Sequence, residues 1–314
     1  MTYIGVFPGQ GSLKVNSLGL LYKQLPDLIE LLNIASSILE LDFSLALRSN
    51  EIKNTLIQQT LVCILSAAYF RHCGRMDIKA VAGHSLGELT ACYVAGVFSF
   101  EDLLHIVSSR AKFMHDASTQ CDGGMMAIIG VDLCLLSEFI GKNYQESIFV
   151  ANVNLPDQVV VSGKRIDLVQ FEHDIKKKFS VVTRQLEVSG PWHSSYMIPA
   201  ASKFQSLLGK YNFKTPSLDL YLSYSSKKVT ASVDIKNNLV QQIATPVYWA
   251  QLVNKIKCEN NQANFVEVGA SVVLKNLIKR SCCGSRVYSV NDGRDWAILK
   301  KQMSDSRGFD YVTN

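Results

Sequence analysis

A serine stands in a pattern that is typical of enzyme nucleophiles. The segment Gly83-His84-Ser85-Leu86-Gly87 matches G-x-S-x-G and lies between an apolar β-rich run and a helical pattern. A tight turn there exposes the hydroxyl, and the next N–H points at an oxygen that gains negative charge. The alternative interpretation is a glycine-rich turn without chemistry. The strand-turn-helix context favours a nucleophile.

A serine nucleophile needs a base, and the chain has six histidines. His84 adjoins the serine, but successive residues of a tight turn point apart, so we expect His84 to support the loop. His193 follows Gly190-Pro191-Trp192, where two parts of the chain meet, and loops at such junctions line clefts. His193 is therefore the candidate base; a structural histidine is the alternative.

An arginine interrupts an apolar helical stripe. Arg110 shares helical spacing with Leu103, Val107, Met114 and Ala117. A buried guanidinium needs an anion, because it cannot readily lose its charge. That anion is either an internal Asp or Glu or, beside a nucleophile, a substrate carboxylate bound by two parallel hydrogen bonds.

Strands and helices alternate around these residues. Helical patterns begin near Leu18, span about 51–71, and follow the serine over Glu88–Val94. The alternation predicts an α/β fold with a mainly parallel sheet covered on both faces. The predicted strands of this sheet are Tyr3–Phe7, Ile78–Ala82, Asn264–Val268 and Ser285–Val290.

Residues 125–189 have a different pattern, in which the predicted strands and helices are short. Strands are predicted over 124–131, 148–152, 159–161 and 181–188. The length of 314 residues allows two domains or one domain with an insertion. Ser85 and His193 fall on opposite sides of the segment, which favours the insertion. We predict a large subdomain from 1–124 and 190–314 and a small α+β subdomain from 125–189.

Composition excludes several classes of protein. Hydrophobic residues make up 47% and charged residues 19%, and the net charge is +5. Neither a disordered chain nor a nucleic-acid-binding surface fits these values, and no apolar run has the roughly 20 residues that a membrane span needs. The eight cysteines lack C-x-x-C spacing. We expect reduced thiols in a cytoplasmic protein, with no metal site and no export segment.

Together the motifs resemble a known family over nearly the whole chain. Phe7–Ser12, Gly83–Glu88, Arg110 within Ser109–Met114, Trp192–Ser194 and Phe265–Gly269 resemble, in this order, the malonyl-CoA:acyl carrier protein transacylases. The segment Pro191–Met197 is closer to the free-standing acyltransferases that serve modular polyketide synthases than to those of fatty acid synthesis.

The resemblance implies a fold and a covalent mechanism. The implied fold is an α/β-hydrolase-like large subdomain with an inserted ferredoxin-like small one, and the active site lies between them. Ser85 would accept the malonyl group as an ester, and His193 would activate it. The main chain of a glutamine, assigned to Gln242, would orient the histidine. Malonyl-CoA would be the substrate and an acyl carrier protein the partner, with no cofactor.

The resemblance also implies substrate contacts. The N–H groups of Gln10 and Leu86 would form the oxyanion hole, and Arg110 would bind the malonyl carboxylate. We place Trp192 and His84 in the substrate-binding site as well, because a bulky Trp192 would exclude an α-substituent and so favour malonyl over methylmalonyl groups. One departure is that Ala270-Ser271 follows Gly269, where the family commonly has Pro-Gly.

Two other functions compete with acyl transfer. One is a hydrolase on the same framework, in which water releases the acyl group. The other is a non-catalytic protein that docks acyl carriers. A buried Arg110 favours transfer of a dicarboxylic acyl group over hydrolysis of uncharged chains, and a docking protein would need neither Ser85 nor His193.

Overall fold

The structure is a computed structural model that describes residues 2–11, 18–49, 54–74, 76–262, 264–281 and 284–305. Ser12 of the first motif, residues 51–53 at the start of a predicted helix, and two of the eight cysteines, Cys282 and Cys283, lie outside these ranges. The strands are β1 Tyr3–Phe7, β2 Ile78–Gly83, β3 Gly123–Ile129, β4 Ile148–Leu155, β5 Gln158–Lys164, β6 Val182–Gln185, β7 Asp219–Leu222, β8 Lys227–Val229, β9 Asn264–Glu267 and β10 Val287–Ser289. The helices are α1 Leu18–Gln24, α2 Leu28–Leu39, α3 Phe43–Ala46, α4 Thr55–Cys73, α5 Gly87–Val94, α6 Phe100–Ser118, α7 Leu133–Asn143, α8 Arg165–Lys178, α9 Ile198–Leu208, α10 Ser232–Ala244, α11 Trp249–Glu259, α12 Val273–Ser281 and α13 Gly293–Asp305.

The larger sheet has the strand order β10-β9-β1-β2-β7-β8. Its neighbours are parallel except at the edge, where β8 pairs with β7 antiparallel. The predicted α/β class and mainly parallel sheet are therefore confirmed. Phe7 pairs with Gly83, so the carboxyl ends of β1 and β2 lie level at the centre of the sheet. Ligands of such sheets bind beyond the carboxyl ends of the strands, where the strand order reverses.

The smaller sheet is antiparallel, with the order β4-β5-β3-β6. Strand β3 begins at Gly123, slightly before the predicted segment, and β6 ends at Gln185 rather than at residue 188. Gly123 pairs with Lys164 of β5, and Pro191 packs on it: a Cβ there would lie 2.4 Å from the proline ring. The glycine marks a close crossing of two chain segments instead of a turn.

Helices α4 and α6 form the core beside the larger sheet. Residues on all sides of α4 are buried, and the helix contacts α2, α5 and α6. Helix α6 begins with a capping box, in which Ser99 Oγ accepts a hydrogen bond from Asp102 N and the Asp102 carboxylate accepts one from Ser99 N. These two helices hold polar side chains behind the carboxyl ends of β1 and β2.

Backbone hydrogen bonds join the two sheets. The N–H of Val153 on β4 donates to Val247 O over 2.9 Å, and the N–H of Val247 donates to Ala151 O over 2.9 Å. Val247 follows α10 and precedes α11, which packs against β4. The small sheet is therefore held against the segment between these helices.

No helix in the described ranges is long and apolar enough to cross a membrane. The same ranges contain no group of three or more His, Cys, Asp and Glu side chains that could hold a metal ion. The described cysteines are free thiols: Cys63, Cys73, Cys92, Cys121, Cys134 and Cys258.

Candidate active site

Ser85 lies in the turn between β2 and α5, with a φ of 51°. This left-handed conformation is rare for a residue with a side chain and is retained where the surroundings enforce it. The two glycines of the motif permit the tight turn in which Ser85 adopts it. A Cβ on Gly83 would lie 2.0 Å from the carbonyl carbon of Gly87, and one on Gly87 would lie 2.0 Å from Phe7 O. Only glycines allow β1, β2 and α5 to approach this closely.

His193 reaches the serine from a second strained turn. Its φ is 59°, and the Ser194 hydroxyl closes the turn by donating to Pro191 O over 2.5 Å. His193 Nε2 lies 2.8 Å from Ser85 Oγ, and Nδ1 lies 2.7 Å from the carbonyl oxygen of Gln242. A carbonyl only accepts, so Nδ1 carries the proton and Nε2 is free to accept the serine proton.

His193 is held neutral by its surroundings. Burial lowers the pKa of His193 to about 3; the bond to the Gln242 carbonyl opposes this shift, and the charge of Arg110 adds to it. A neutral imidazole can take a proton at physiological pH, whereas an imidazolium cannot. The ring therefore has the protonation state that a general base needs.

Gln242 on α10 contacts both partners of this pair. While its carbonyl accepts from His193, its side-chain Nε2 donates to Ser85 O over 3.1 Å. The buried carboxyl of Glu88, on α5, lies close to Gln242. It accepts a hydrogen bond from Ser223 N over 2.6 Å, and burial raises the pKa of Glu88 to about 7. Gln242 thus couples the backbone of the serine turn to the histidine ring.

Arg110 lies on the buried face of α6, with 3% of its surface exposed. Its Nη2 lies 3.4 Å from Ser85 Oγ, and its Nη1 donates to Gln59 Oε1 over 2.5 Å. Burial lowers the pKa of Arg110 only to about 10, so the side chain stays cationic at neutral pH. Within the described ranges, no Asp or Glu forms an ion pair with it. Those ranges therefore do not supply the internal salt bridge that was the alternative from sequence.

Two candidate backbone donors lie in the loops that follow β1 and β2. Gln10 follows β1 and Leu86 precedes α5, and the N–H of His84 bonds Phe7 O over 3.0 Å, which ties the two loops together. In the part of the chain that the structure describes, the N–H groups of Gln10 and Leu86 donate to no protein acceptor. The Gln10 side chain donates to Thr55 Oγ1 over 2.8 Å. Leu86 is at the N-terminus of α5, whose dipole favours negative charge.

His84 lies in the serine turn, and Trp192 lies in the turn that carries His193. The His84 ring bonds Asn154 Oδ1 on β4 over 2.9 Å and lies 5.5 Å from the Trp249 ring, edge to face. It therefore links the serine turn to the small sheet. Trp192, only 5% exposed, precedes the histidine, and its ring packs on Gly190, where a Cβ would lie 2.8 Å from it.

Gln59 and Asn154 are site residues that the sequence analysis did not identify. Gln59 is fully buried on α4 and bonds Arg110; Asn154 fixes His84. The signal for Gln59 was the polar run Gln58-Gln59-Thr60 directly before the apolar segment of α4, since a polar residue inside a buried helix needs a partner. Asn154 had no comparable signal.

Comparisons with known proteins give matches over nearly the whole chain. The family model described as the acyl transferase domain matches residues 6–310. The chain is 32% identical to the malonyl CoA-acyl carrier protein transacylase of Bacillus subtilis, over 91% of this chain and 92% of that protein. It superposes with a TM-score of 0.89 on the acyl-carrier-protein S-malonyltransferase of Burkholderia pseudomallei, at 31% identity, covering 96% of this chain and all of that one. It is also similar to a malonyl-transacylase solved with its type II PKS acyl-carrier protein, with a TM-score of 0.88, 29% identity, and coverage of 96% and 100%.

Proposed function

The chain belongs to the acyl transferase domain family, and we propose that it moves a malonyl group from malonyl-CoA to the phosphopantetheine thiol of an acyl carrier protein, through an ester on Ser85. One observation carries the proposal. A cationic, buried Arg110 and a neutral His193 both lie within hydrogen-bond reach of the same serine hydroxyl. The names of the relatives support the choice of malonyl group and acyl carrier.

In the first step Ser85 Oγ attacks the thioester carbonyl of malonyl-CoA. His193 Nε2 takes the hydroxyl proton, while Nδ1–H stays bonded to the Gln242 carbonyl, which stabilises the imidazolium. The tetrahedral intermediate collapses when the carbon–sulfur bond breaks. Coenzyme A leaves as the thiol with the proton from His193, and the malonyl group remains as a seryl ester.

In the second step the carrier's thiol repeats the sequence in reverse. His193 takes the thiol proton, the sulfur attacks the ester carbonyl, and Ser85 Oγ leaves and regains its proton. In both steps the N–H groups of Gln10 and Leu86 stabilise the oxyanion. Loss of one such donor typically costs about 3–4 kcal/mol of transition-state stabilisation. An oxygen ester and a thioester are close enough in reactivity that this exchange requires no metal or redox cofactor.

Arg110 supplies selectivity for a dicarboxylic acyl group. We assign the malonyl carboxylate to the guanidinium, because a planar fork of N–H donors matches a carboxylate and the buried charge lacks an ion-pair partner in the described ranges. Trp192 next to the base would exclude an α-methyl group. His84, within the serine turn, supports that turn through its bond to Asn154 of the small sheet.

We also propose a division into subdomains. Residues 1–124 and 190–314 would form the α/β-hydrolase-like catalytic part, and 125–189 a ferredoxin-like part. The order β3-α7-β4-β5-α8-β6, with β3 and β5 as the central pair of an antiparallel sheet, supports the latter. A cytoplasmic location stays a prediction from the scattered thiols, and polyketide synthesis stays a prediction from the Pro191–Met197 segment.

Transfer and hydrolysis are separated by one experiment. Purified protein is mixed with malonyl-CoA and a holo acyl carrier protein, and both free malonate and malonyl-carrier are followed by mass spectrometry. We expect malonyl-carrier to form far faster than malonate. Release of malonate at the same rate with and without carrier would establish the hydrolase instead, and binding of carrier without any malonyl product would establish the docking protein.

A further inference from the structure

The group that holds Arg110 in place is an amide rather than a carboxylate. Gln59 Oε1 accepts from Arg110 Nη1 over 2.5 Å, and Gln59 is completely buried. Arginines inside proteins are usually paired with Asp or Glu, because a buried cation is costly without an anion. An amide oxygen orients the guanidinium by a hydrogen bond but leaves its net charge uncancelled. The charge then remains available to an incoming anion.

Gln59 is itself held by a residue one helical turn earlier. Its Nε2 lies 3.4 Å from Thr55 Oγ1, and Thr55 Oγ1 accepts from the Gln10 side chain over 2.8 Å. Positions four apart on a helix face the same way, so the spacing of α4 fixes Gln59 relative to Thr55. A continuous chain of side chains runs from the nucleophile to the loop after β1: Ser85, Arg110, Gln59, Thr55 and Gln10.

We propose that Gln59 is a positioning residue that sets acyl-group specificity, holding the Arg110 guanidinium beside Ser85 without neutralising it. This inference rests on the proposed function. The carboxylate of the acyl group then forms the ion pair with Arg110. A Glu at position 59 would form that ion pair within the protein instead. Gln59 and Thr55 both lie on α4. Through them, helix α4 connects Arg110, which binds the carboxylate, to the loop of Gln10, which would bind the thioester carbonyl.

The proposal predicts different effects on acyl-group selectivity for substitutions at two positions of α4. Gln59→Glu keeps the size of the side chain but pairs Arg110 internally, so malonyl transfer suffers and acetyl transfer does not. Thr55→Val keeps the shape but removes the hydroxyl that accepts from both Gln10 and Gln59. Both acyl groups need the oxyanion hole, so Thr55→Val should slow both, and the malonyl to acetyl ratio should fall less than in Gln59→Glu, because Gln59 keeps its own bond to Arg110.

The test measures kcat/KM for acylation of Ser85 by malonyl-CoA and by acetyl-CoA, using intact-protein mass spectrometry. In Gln59→Glu we expect the malonyl to acetyl ratio to fall about tenfold or more. Gln59→Met removes the oxygen that accepts from Arg110 without adding charge, so it should also lower the malonyl to acetyl ratio. This variant provides the test if Gln59→Glu does not fold. Gln58→Glu introduces the same charge on the neighbouring, half-buried position of α4 and should leave the ratio within about twofold of the parent protein.

Two outcomes overturn the inference in distinguishable ways. In the first outcome the parent loads malonyl groups normally, but a folded Gln59→Glu or Gln59→Met variant has a malonyl to acetyl ratio within about twofold of the parent's. This result would exclude Gln59 as a specificity residue and leave the proposed function intact. A parent protein that forms no malonyl ester on Ser85 removes the proposed function, and this inference with it.

Discussion

Ser85 and His193, 108 positions apart in the chain, meet at 2.8 Å, and both have left-handed backbone conformations. A different local feature stabilises each turn. Gly83 and Gly87 permit the serine turn, and the Ser194 hydroxyl closes the histidine turn on Pro191. Two strained turns on separate elements therefore define one short contact.

Arg110→Ala should reduce acylation by malonyl-CoA about 100-fold and acylation by acetyl-CoA much less, because loss of a buried charge partner typically costs several kcal/mol. The two kcat/KM values, measured on the same preparation, check this. Lys112→Ala is the matched control, since it removes a cation from the exposed face of the same helix. Equal losses for the two acyl groups would remove Arg110 as the carboxylate-binding residue.

His193 should remain neutral far below the usual titration range of histidine. Burial lowers its pKa to about 3, and the Arg110 charge contributes to the shift. An NMR titration of ¹³C-labelled histidine, assigned with His193→Ala, should show no protonation of this ring as the pH falls through 6.5. Arg110→Gln should raise the pKa of His193. A normal titration near pH 6.5 in the parent protein would contradict the neutral, buried base.

Glu88→Gln should change the pH dependence of stability. Burial raises the pKa of Glu88 from 4.5 to about 7, so the folded state retains a proton that the unfolded chain releases between these values. Stability due to this group therefore falls as the pH rises from about 4.5 to about 7, by about 3 kcal/mol.

Urea unfolding at pH 5 and pH 7.5 tests the effect of Glu88. The drop in unfolding free energy between the two pH values should be smaller in Glu88→Gln than in the parent. Glu101→Gln, at an exposed position of α6, should keep the parent's drop. An identical drop in Glu88→Gln and the parent would mean that Glu88 titrates as it does in the unfolded chain.

Trp192→Leu should raise the use of methylmalonyl-CoA relative to malonyl-CoA by about tenfold, because a removed bulky group leaves space for the α-methyl substituent. Competition between the two thioesters for Ser85, resolved by mass, gives the ratio directly. Trp296→Leu removes an equally buried indole from the contact with His72 and controls for loss of core packing. An unchanged ratio in Trp192→Leu would exclude this side chain as a selectivity element.

Local sequence was enough to predict the elements that carry the chemistry. Glycines on both sides of Ser85 predict a sharp turn, and an apolar stripe containing Arg110 predicts its burial. Strands β1 and β2 follow from apolar runs that end in glycine loops. In each case the residues that determine the feature are neighbours in the chain, so the local sequence pattern is enough to predict the local structure.

The partners across the fold could not be predicted in this way. Which polar residue of α4 faces Arg110 depends on how α4 packs on α6, and only the packing singles out Gln59 from Gln58 and Thr60. The bond between His84 and Asn154 joins positions 70 apart, one in the turn after β2 and the other on β4. Gly123 is a turn-forming residue by type, but it pairs with Lys164 as part of β3, where Pro191 crosses it closely.

A covalent ester on Ser85 is the central claim, and intact-protein mass spectrometry tests it most directly. The protein is mixed with malonyl-CoA, and peptide mapping locates any added mass; a holo acyl carrier protein is then added. We predict one malonyl group per chain, located on Ser85, absent from Ser85→Ala, and transferred to the carrier in the second step. A malonyl label that persists in Ser85→Ala, or malonyl-carrier that forms at the parent rate in that variant, would contradict the account.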